Sequence, residues 1–252
     1  MQEWSNTWQL HFNISKCKVM YIGRNNPEHN YTMELDGNNS IIQSCDEEKD
    51  LGVTFDRTLT FDSHINRVVN KANSILSLIR RSFDYIDRES FLILYKSLVR
   101  PHVEYGNTIW HPLYKRQSII VENVQRRATK LVKDLSNLGY GDRMKNLQLP
   151  SLKHRRLRGD LIQAYKIMTN IDNLDVKKFF NPSPCLRTRN SEKKVFISYS
   201  RTNLRKNYFT NRCAPVWNKL NYVTKNSLTL NAFKSNLDSE LFMKDNFYTF
   251  DE

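Results

Sequence analysis

The sequence predicts an α+β chain, mostly α, in which a small antiparallel β element at the N-terminus precedes a helical bundle and a set of basic helices. Three observations carry this expectation. Gly and Pro number only 7 each in 252 residues, about 3% apiece against usual levels of about 7% and 5%, which favours long regular elements over tight turns. From Ile65 onward apolar residues recur at i, i+3, i+4 and i+7, the period of a helix with one buried face. Before residue 60 the chain instead carries short β-prone runs broken by Gly, Asn and Pro.

In chain order, Trp4 and Trp8, four residues apart, predict one helical face packed inward. Lys18-Val19-Met20-Tyr21-Ile22 and Tyr31-Thr32-Met33-Glu34-Leu35 read as strands, and Asp36-Gly37-Asn38-Asn39 as a hairpin turn before Ile41-Ile42. The acidic run Asp46-Glu47-Glu48-Lys49-Asp50 reads as a solvated turn ahead of a strand at Leu51-Gly52-Val53-Thr54-Phe55. Ile65, Val68, Val69, Ala72, Ile75, Leu76 and Ile79 mark the clearest helix. Asp87 can cap a second, with Phe91, Leu94, Tyr95 and Leu98 as its stripe, that stops or kinks before Pro101; the short loop Phe83 to Ile86 makes the two a hairpin. A third, from Gln117 to Leu135, buries Ile120, Val124, Ala128, Leu131 and Val132 and turns Arg126, Arg127, Lys130 and Lys133 to other faces.

Ser151 is a good N-cap for a fourth helix with Leu157, Leu161, Ala164, Tyr165 and Met168 inward. Lys153, Arg155, Arg156 and Arg158 load its first turns with positive charge, which opposes the helix dipole and which an anionic ligand would relieve. Asn170 to Lys194, with Pro182 and Pro184, reads as a linker, Val195 to Tyr199 as a strand, and Ala232, Phe233, Leu237 and Leu241 as the stripe of a last helix. These elements divide the chain into 1–60, 61–114, 115–170 (basic), 171–194 (linker) and 195–252 (an α/β tail).

The formal charge is +13, and it is uneven: residues 115–159 hold 12 Lys and Arg against 3 Asp and Glu, and residues 187–212 hold 8 against 1. The rest of the chain nearly balances. Codon bias would scatter lysines, whereas these blocks are rich in Arg and poor in acid, the footprint of a protein that meets phosphates and releases counterions. Nucleic acid (RNA, DNA or hybrid duplex) is the expected partner. If Arg126, Arg127, Lys130, Arg155, Arg156 and Arg158 all touch phosphate, log affinity for duplex falls against log salt with a slope of about −5. No apolar, charge-free run approaches the roughly 18 residues of a membrane helix, so no membrane is expected and the chain reads as intracellular, nuclear or cytoplasmic. Cys17, Cys45, Cys185 and Cys213 are too far apart for a zinc site or a disulfide framework and read as reduced thiols.

Signatures of chemistry are missing: no GxxxxGK[ST], GxGxxG, HExxH or GxSxG motif occurs. His64, His102, His111 and His154 have no partner at ligand spacing, so no metal site is expected, and Tyr105, Trp110 and Trp217 read as core aromatics.

Six ordered stretches together resemble the downstream part of the reverse transcriptase of non-LTR (LINE-type) retrotransposons, the Jockey-like group above all. They are Trp8 to Asn13 with Lys16 to Met20, Glu48 to Val53, Leu94 to Tyr105, Val124 to Lys130, Arg155 to Asp160, and Ser200 to Asn203 with Val216-Trp217-Asn218. The resemblance implies an end-of-palm segment over 1–60 and a thumb over 61–114, followed by a post-thumb region. It implies that Lys16 assists as a general acid toward departing pyrophosphate, and that Leu51, Gly52 and Val53 form a primer-grip-like hairpin. It implies nucleic-acid binding by Arg126, Arg127, Lys130, Lys133, Lys153, Arg155, Arg156 and Arg158. An RNA-directed DNA polymerase needs aspartates holding two Mg2+ ions, and no Asp-Asp pair occurs here. The expected reading is therefore a truncated transposable-element fragment that binds template and primer. It holds no cofactor itself, is inactive alone, and pairs with the missing N-terminal part of the polymerase, whose parent enzyme would use Mg2+. A host-adopted non-catalytic binding module and an inert helical interaction domain are the alternatives.

Overall fold

The computed structural model describes residues 2–23, 25–35, 38–183 and 193–242, and the chain forms two compact units, Met1–His64 and Ile65–Glu252. The expected boundary near residue 60 lies close to this division. Those at 114, 170 and 194 fall inside the second unit, and the helices on either side of 170 and 194 share one core.

The first unit is built from short pieces. Helix α1 (Gln2–Thr7) and a 3₁₀ turn (Ile14–Lys16) lead into β1 (Lys18–Val19), which pairs in parallel with β4 (Gln43–Ser44). β2 (Thr32–Leu35) pairs antiparallel with β3 (Asn38–Ile41), and β5 (Glu47–Asp50) with β6 (Val53–Asp56). The residues Asp36 and Gly37 of the expected turn lie outside the described residues. One antiparallel sheet was expected; among the described residues three separate two-stranded pairs are found, one of them parallel. The acidic run is an exposed strand rather than a turn, because the turn lies further on: Leu51 (φ 43°) and Gly52 (φ 86°) are the two central residues of the β5–β6 hairpin. Positive φ at both positions matches the right-handed twist of the flanking strands, and Gly52 supplies it without strain.

The core of this unit is thin. Its buried side chains among the described residues are Ser5, Val53, Phe61 and His64. Trp4 and Trp8 are 53% and 63% exposed, contrary to the inward face read from their spacing, since α1 ends at Thr7 and Trp8 lies beyond it. Polar geometry does more than apolar burial. Asp56 accepts hydrogen bonds at Oδ1 from the amides of Thr58 (3.0 Å) and Thr60 (3.1 Å) and at Oδ2 from that of Phe61 (2.6 Å). The result is a fixed turn between β6 and the first long helix, in which Phe55 meets Phe61 edge to face.

That helix, α2 (Asp62–Ser82), buries Ile65, Val69, Ala72, Leu76 and Ile79 along the predicted stripe. Asp87 caps α3 (Arg88–Leu94) by accepting from the Ser90 amide at 2.8 Å. Of the stop or kink expected before Pro101, the stop is not found, since helical backbone continues through it. A π-helical turn over Tyr95–Val99 widens the backbone, the Arg100 amide reaches Tyr95, and α4 (Arg100–Glu104) continues with Pro101 in its first turn, where no amide donor is needed. Trp110 and Trp217 are buried as predicted, whereas Tyr105 is 60% exposed because the chain leaves the helix there.

α5 (Lys115–Ala128) is shorter than expected and passes into 3₁₀ turns at Thr129–Leu131 and Lys133–Leu135. After α6 (Tyr140–Leu147), Ser151 caps α7 (Leu152–Met168) by accepting from the His154 amide at 3.2 Å. α7 packs against α5, α9 (Phe209–Lys219) and α11 (Leu230–Phe242). Two short helices, α8 (Asn203–Asn207) and α10 (Tyr222–Lys225), complete this side. Leu161, Tyr165, Trp217, Phe233 and Leu237 belong to the cluster, and Phe180, within the expected linker, and Val195, just past it, are buried in it. Residues 184–192 of that linker, with Pro184 and Cys185, lie outside the described residues. Val195 forms a single bridge to Pro182 in place of the expected strand. No helix among the described residues is long and apolar enough to cross a membrane.

Candidate nucleic-acid interface

α7 begins with Lys153, Arg155, Arg156 and Arg158, and its packing decides what each does. Arg155 forms a two-pronged pair with Glu104 at the end of α4, its Nη2 donating to Oε2 at 2.9 Å. Arg158 does the same with Asp238 of α11, Nη2 to Oδ2 at 2.7 Å. Arg156 is 1% exposed; its Nη2 donates to Ser118 Oγ at 3.1 Å, and burial pulls its pKa down to about 10 although Glu122 and Asp160 lie close by. Glu122 accepts from the Leu152 amide at 3.0 Å. The anions that the charged first turns of α7 require therefore come from the protein itself, and the ligand inferred from that charge is not needed to explain it.

Burial raises the Glu122 carboxyl above its ordinary value, with hydrogen bonding from Tyr140 and the Arg156 charge acting against that. A polar chain runs on from it: Tyr140 donates to Glu122 at 2.6 Å, Gln125 to Tyr140 at 3.1 Å, and Tyr95 to Gln125 at 2.7 Å. Arg212 of α9 clasps Asp160 through two hydrogen bonds of 2.8 Å and also donates to the carbonyls of Thr108 and Asn207. His111 sits beside the same carboxylate, 3.8 Å from Asp160, and burial with the Arg212 and Arg156 charges pushes its pKa down to about 2, so it is neutral.

Arg143 and Arg126 also turn inward. Arg143 donates to Thr129 and to the carbonyls of Leu138 and Arg126, closing the end of α5. Arg126 lies 5.1 Å over the Tyr140 ring. The exposed members of the predicted set are Arg127, Lys130, Lys133 and Lys153.

Two of these four meet in one place. Between α2 and the end of α5 lies a groove of about 520 Å³, walled by Asn73, Ser77 and Arg80 on one side and by Arg127, Lys130 and Ser136 on the other, with Leu76 and Leu131 also lining it. Three cations line it and no carboxylate does. Arg80 had not been expected here. Its only sequence signal was the Arg80-Arg81 pair, which a helix C-terminus favours on its own account, and 47 residues separate it from Arg127. Lys133 and Lys153 do not line the groove.

In the first unit, Lys16 is exposed at the end of its 3₁₀ turn. Leu51 is 84% exposed at the hairpin tip, and Val53 is buried at the start of β6. A pocket of about 250 Å³ there is lined by Asp46, Glu47, Asp56 and Asp62 together with Arg57 and Ser63. Asp56 spends both oxygens on backbone amides, Arg57 takes Asp46, and Ser63 donates to Glu47. Among the described residues no three His, Cys, Asp or Glu side chains are grouped to hold a metal ion. Cys17, Cys45 and Cys213 are free thiols.

No family model and no solved structure matches the chain. The chain is 28% identical over 123 residues to an uncharacterized protein of Caenorhabditis elegans, a likeness that takes in 48% of this chain and 62% of that protein's length, under two thirds of it.

Proposed function

We propose that this chain binds the sugar-phosphate backbone of RNA, DNA or a hybrid duplex in the groove between α2 and α5. In this reading it acts as the thumb-like and post-thumb part of a non-LTR reverse transcriptase, inside the cell in nucleus or cytoplasm, alongside the rest of the polymerase. It does not polymerise by itself. The observation that carries the reading is the convergence of Arg80, Arg127 and Lys130 on a groove whose lining holds no acid. Three like charges held together repel one another unless an anion lies between them, and a phosphate chain supplies regularly spaced anions. The ordered stretches that resemble the reverse transcriptase family support placing the groove where a thumb-like region meets a post-thumb region.

The test is binding of a labelled primed-template duplex to the whole chain and to its Arg127→Glu/Lys130→Glu variant. Both side chains are exposed, so the variant should melt at the parent temperature while its affinity drops at least about tenfold, as removal of two phosphate contacts requires. Unchanged affinity would refute the groove. Incorporation of deoxynucleotide by the purified chain with Mg2+ would refute the non-catalytic part.

A further inference from the structure

The second basic block does not contribute to the groove. From Lys193 to Arg212 the chain carries six cations and no Asp or Glu. Two of them serve the fold, Lys193 donating to the Lys225 carbonyl at 3.1 Å and Arg212 holding Asp160. Arg201, Arg205 and Lys206 are exposed and lie between Tyr199 and Tyr208, with Phe196 upstream; these aromatics are 90%, 51% and 50% exposed.

The segment is held in shape. Asn211 Nδ2 donates to Ser200 Oγ at 2.7 Å and closes a loop across eleven residues. Tyr199 precedes one foot of that loop, and Tyr208 stands one turn before the other, at the start of α9. Within the loop Thr202 caps α8 by accepting from the Arg205 amide at 3.2 Å, and the Arg205 guanidinium lies 5.2 Å from the centre of the Tyr208 ring. One face of Tyr208 is thus backed by a cation while half of the side chain stays open to solvent.

A single exposed tyrosine is ordinary on a protein surface. Two exposed tyrosines at the feet of one closed loop, with three exposed cations between them and no acid, combine stacking platforms with a phosphate-tracking charge, the makeup of a single-strand site. We propose that this loop is a second nucleic-acid contact that takes a single strand, bases stacking on Tyr199 and Tyr208 and phosphates meeting Arg201, Arg205 and Lys206. Internal base pairs of a duplex cannot use the rings, because they are stacked on both faces. The inference rests on the nucleic-acid reading for its ligand class, but on a different surface from the groove.

The experiment compares the whole chain with Tyr199→Ala/Tyr208→Ala, using labelled oligouridine of about twelve nucleotides and a short blunt DNA duplex. The expected result is at least a tenfold loss for the single strand, little change for the duplex, and recovery with the phenylalanine pair. Arg127→Glu/Lys130→Glu should show the opposite pattern. Equal losses on both nucleic acids, or none on the single strand, would overturn the loop. So would loss of binding to phosphatidylserine vesicles with single-strand affinity intact, which would make the loop a lipid contact. A groove variant without effect, beside a tyrosine variant with one, would sink the groove and leave the loop standing.

Discussion

Replacing Arg127 and Lys130 by alanine should flatten the salt dependence of duplex binding, and the structure sets by how much. Each phosphate neutralised on B-form duplex contributes about −0.9 to the slope of log affinity against log salt, so the six contacts counted from sequence give about −5. Arg155 and Arg158 are engaged with Glu104 and Asp238, Arg156 is buried, and Arg126 lies on Tyr140. With Arg80 added, three groove cations remain, and the slope becomes about −2.7. Affinity should then fall about 40-fold between about 50 and 200 mM KCl. Fluorescence anisotropy on a labelled duplex reads this directly. The alanine pair should bring the slope to about −0.9, and Lys133→Ala/Lys153→Ala measures any further contact outside the groove. Arg158→Ala should leave the slope alone and cost at most about 1 kcal/mol of stability, since its partner Asp238 is half exposed. A parent slope of about −5 or steeper, or a shallower slope in Arg155→Ala, would refute the reasoning.

Arg212→Ala should destabilise the fold by about 3–5 kcal/mol in urea titrations, because it leaves the 2%-exposed Asp160 carboxylate without its clasp; a loss below about 1 kcal/mol would show that the cluster relaxes or admits water. Glu122 and Asp56 should give opposite pH dependences. Burial raises the folded pKa of Glu122, so the folded state holds that proton more tightly; its contribution is best below the unfolded value and is lost as pH rises through the folded one. Glu122→Gln should therefore flatten that limb of a stability profile. At Asp56 burial acts upward, but the hydrogen bonds from Thr58, Thr60 and Phe61 outweigh it and the folded pKa is lowered. Its contribution is present above the unfolded value and is lost as pH falls through the folded one, and Asp56→Asn should flatten the acid limb. Urea midpoints from about pH 3 to about pH 7 check both, and a variant whose profile runs parallel to the parent's would clear that group of any role.

The long elements were legible in the sequence because their information is local. The α2 stripe, the Asp87 and Ser151 caps and the face of α11 each need only a few neighbouring residues to specify them. The short elements were not. Leu51 and Gly52 look like the start of a β-prone run and become a turn because Glu47–Asp50 pairs with Val53–Asp56. Pro101 looks like a helix stop or kink, and the backbone passes it through a π turn that places the proline in the first turn of α4. Trp4 and Trp8 look like a core pair and lie on the surface.

Charge shows the same division. Composition alone determined that the chain carries two blocks rich in Arg and Lys, and that it lacks the adjacent aspartates of a polymerase. Tertiary structure decided which of those charges face outward. Arg155, Arg156 and Arg158 read as ligand-seeking along the chain, yet Glu104 lies 51 residues from Arg155 and Asp238 lies 80 residues from Arg158. Arg80 read as a helix-end residue until packing set it across a groove from Arg127. Sequence records how many charges there are and their local spacing. Whether a charge is neutralised depends on Coulomb distances of a few ångströms, and only the folded chain sets those distances.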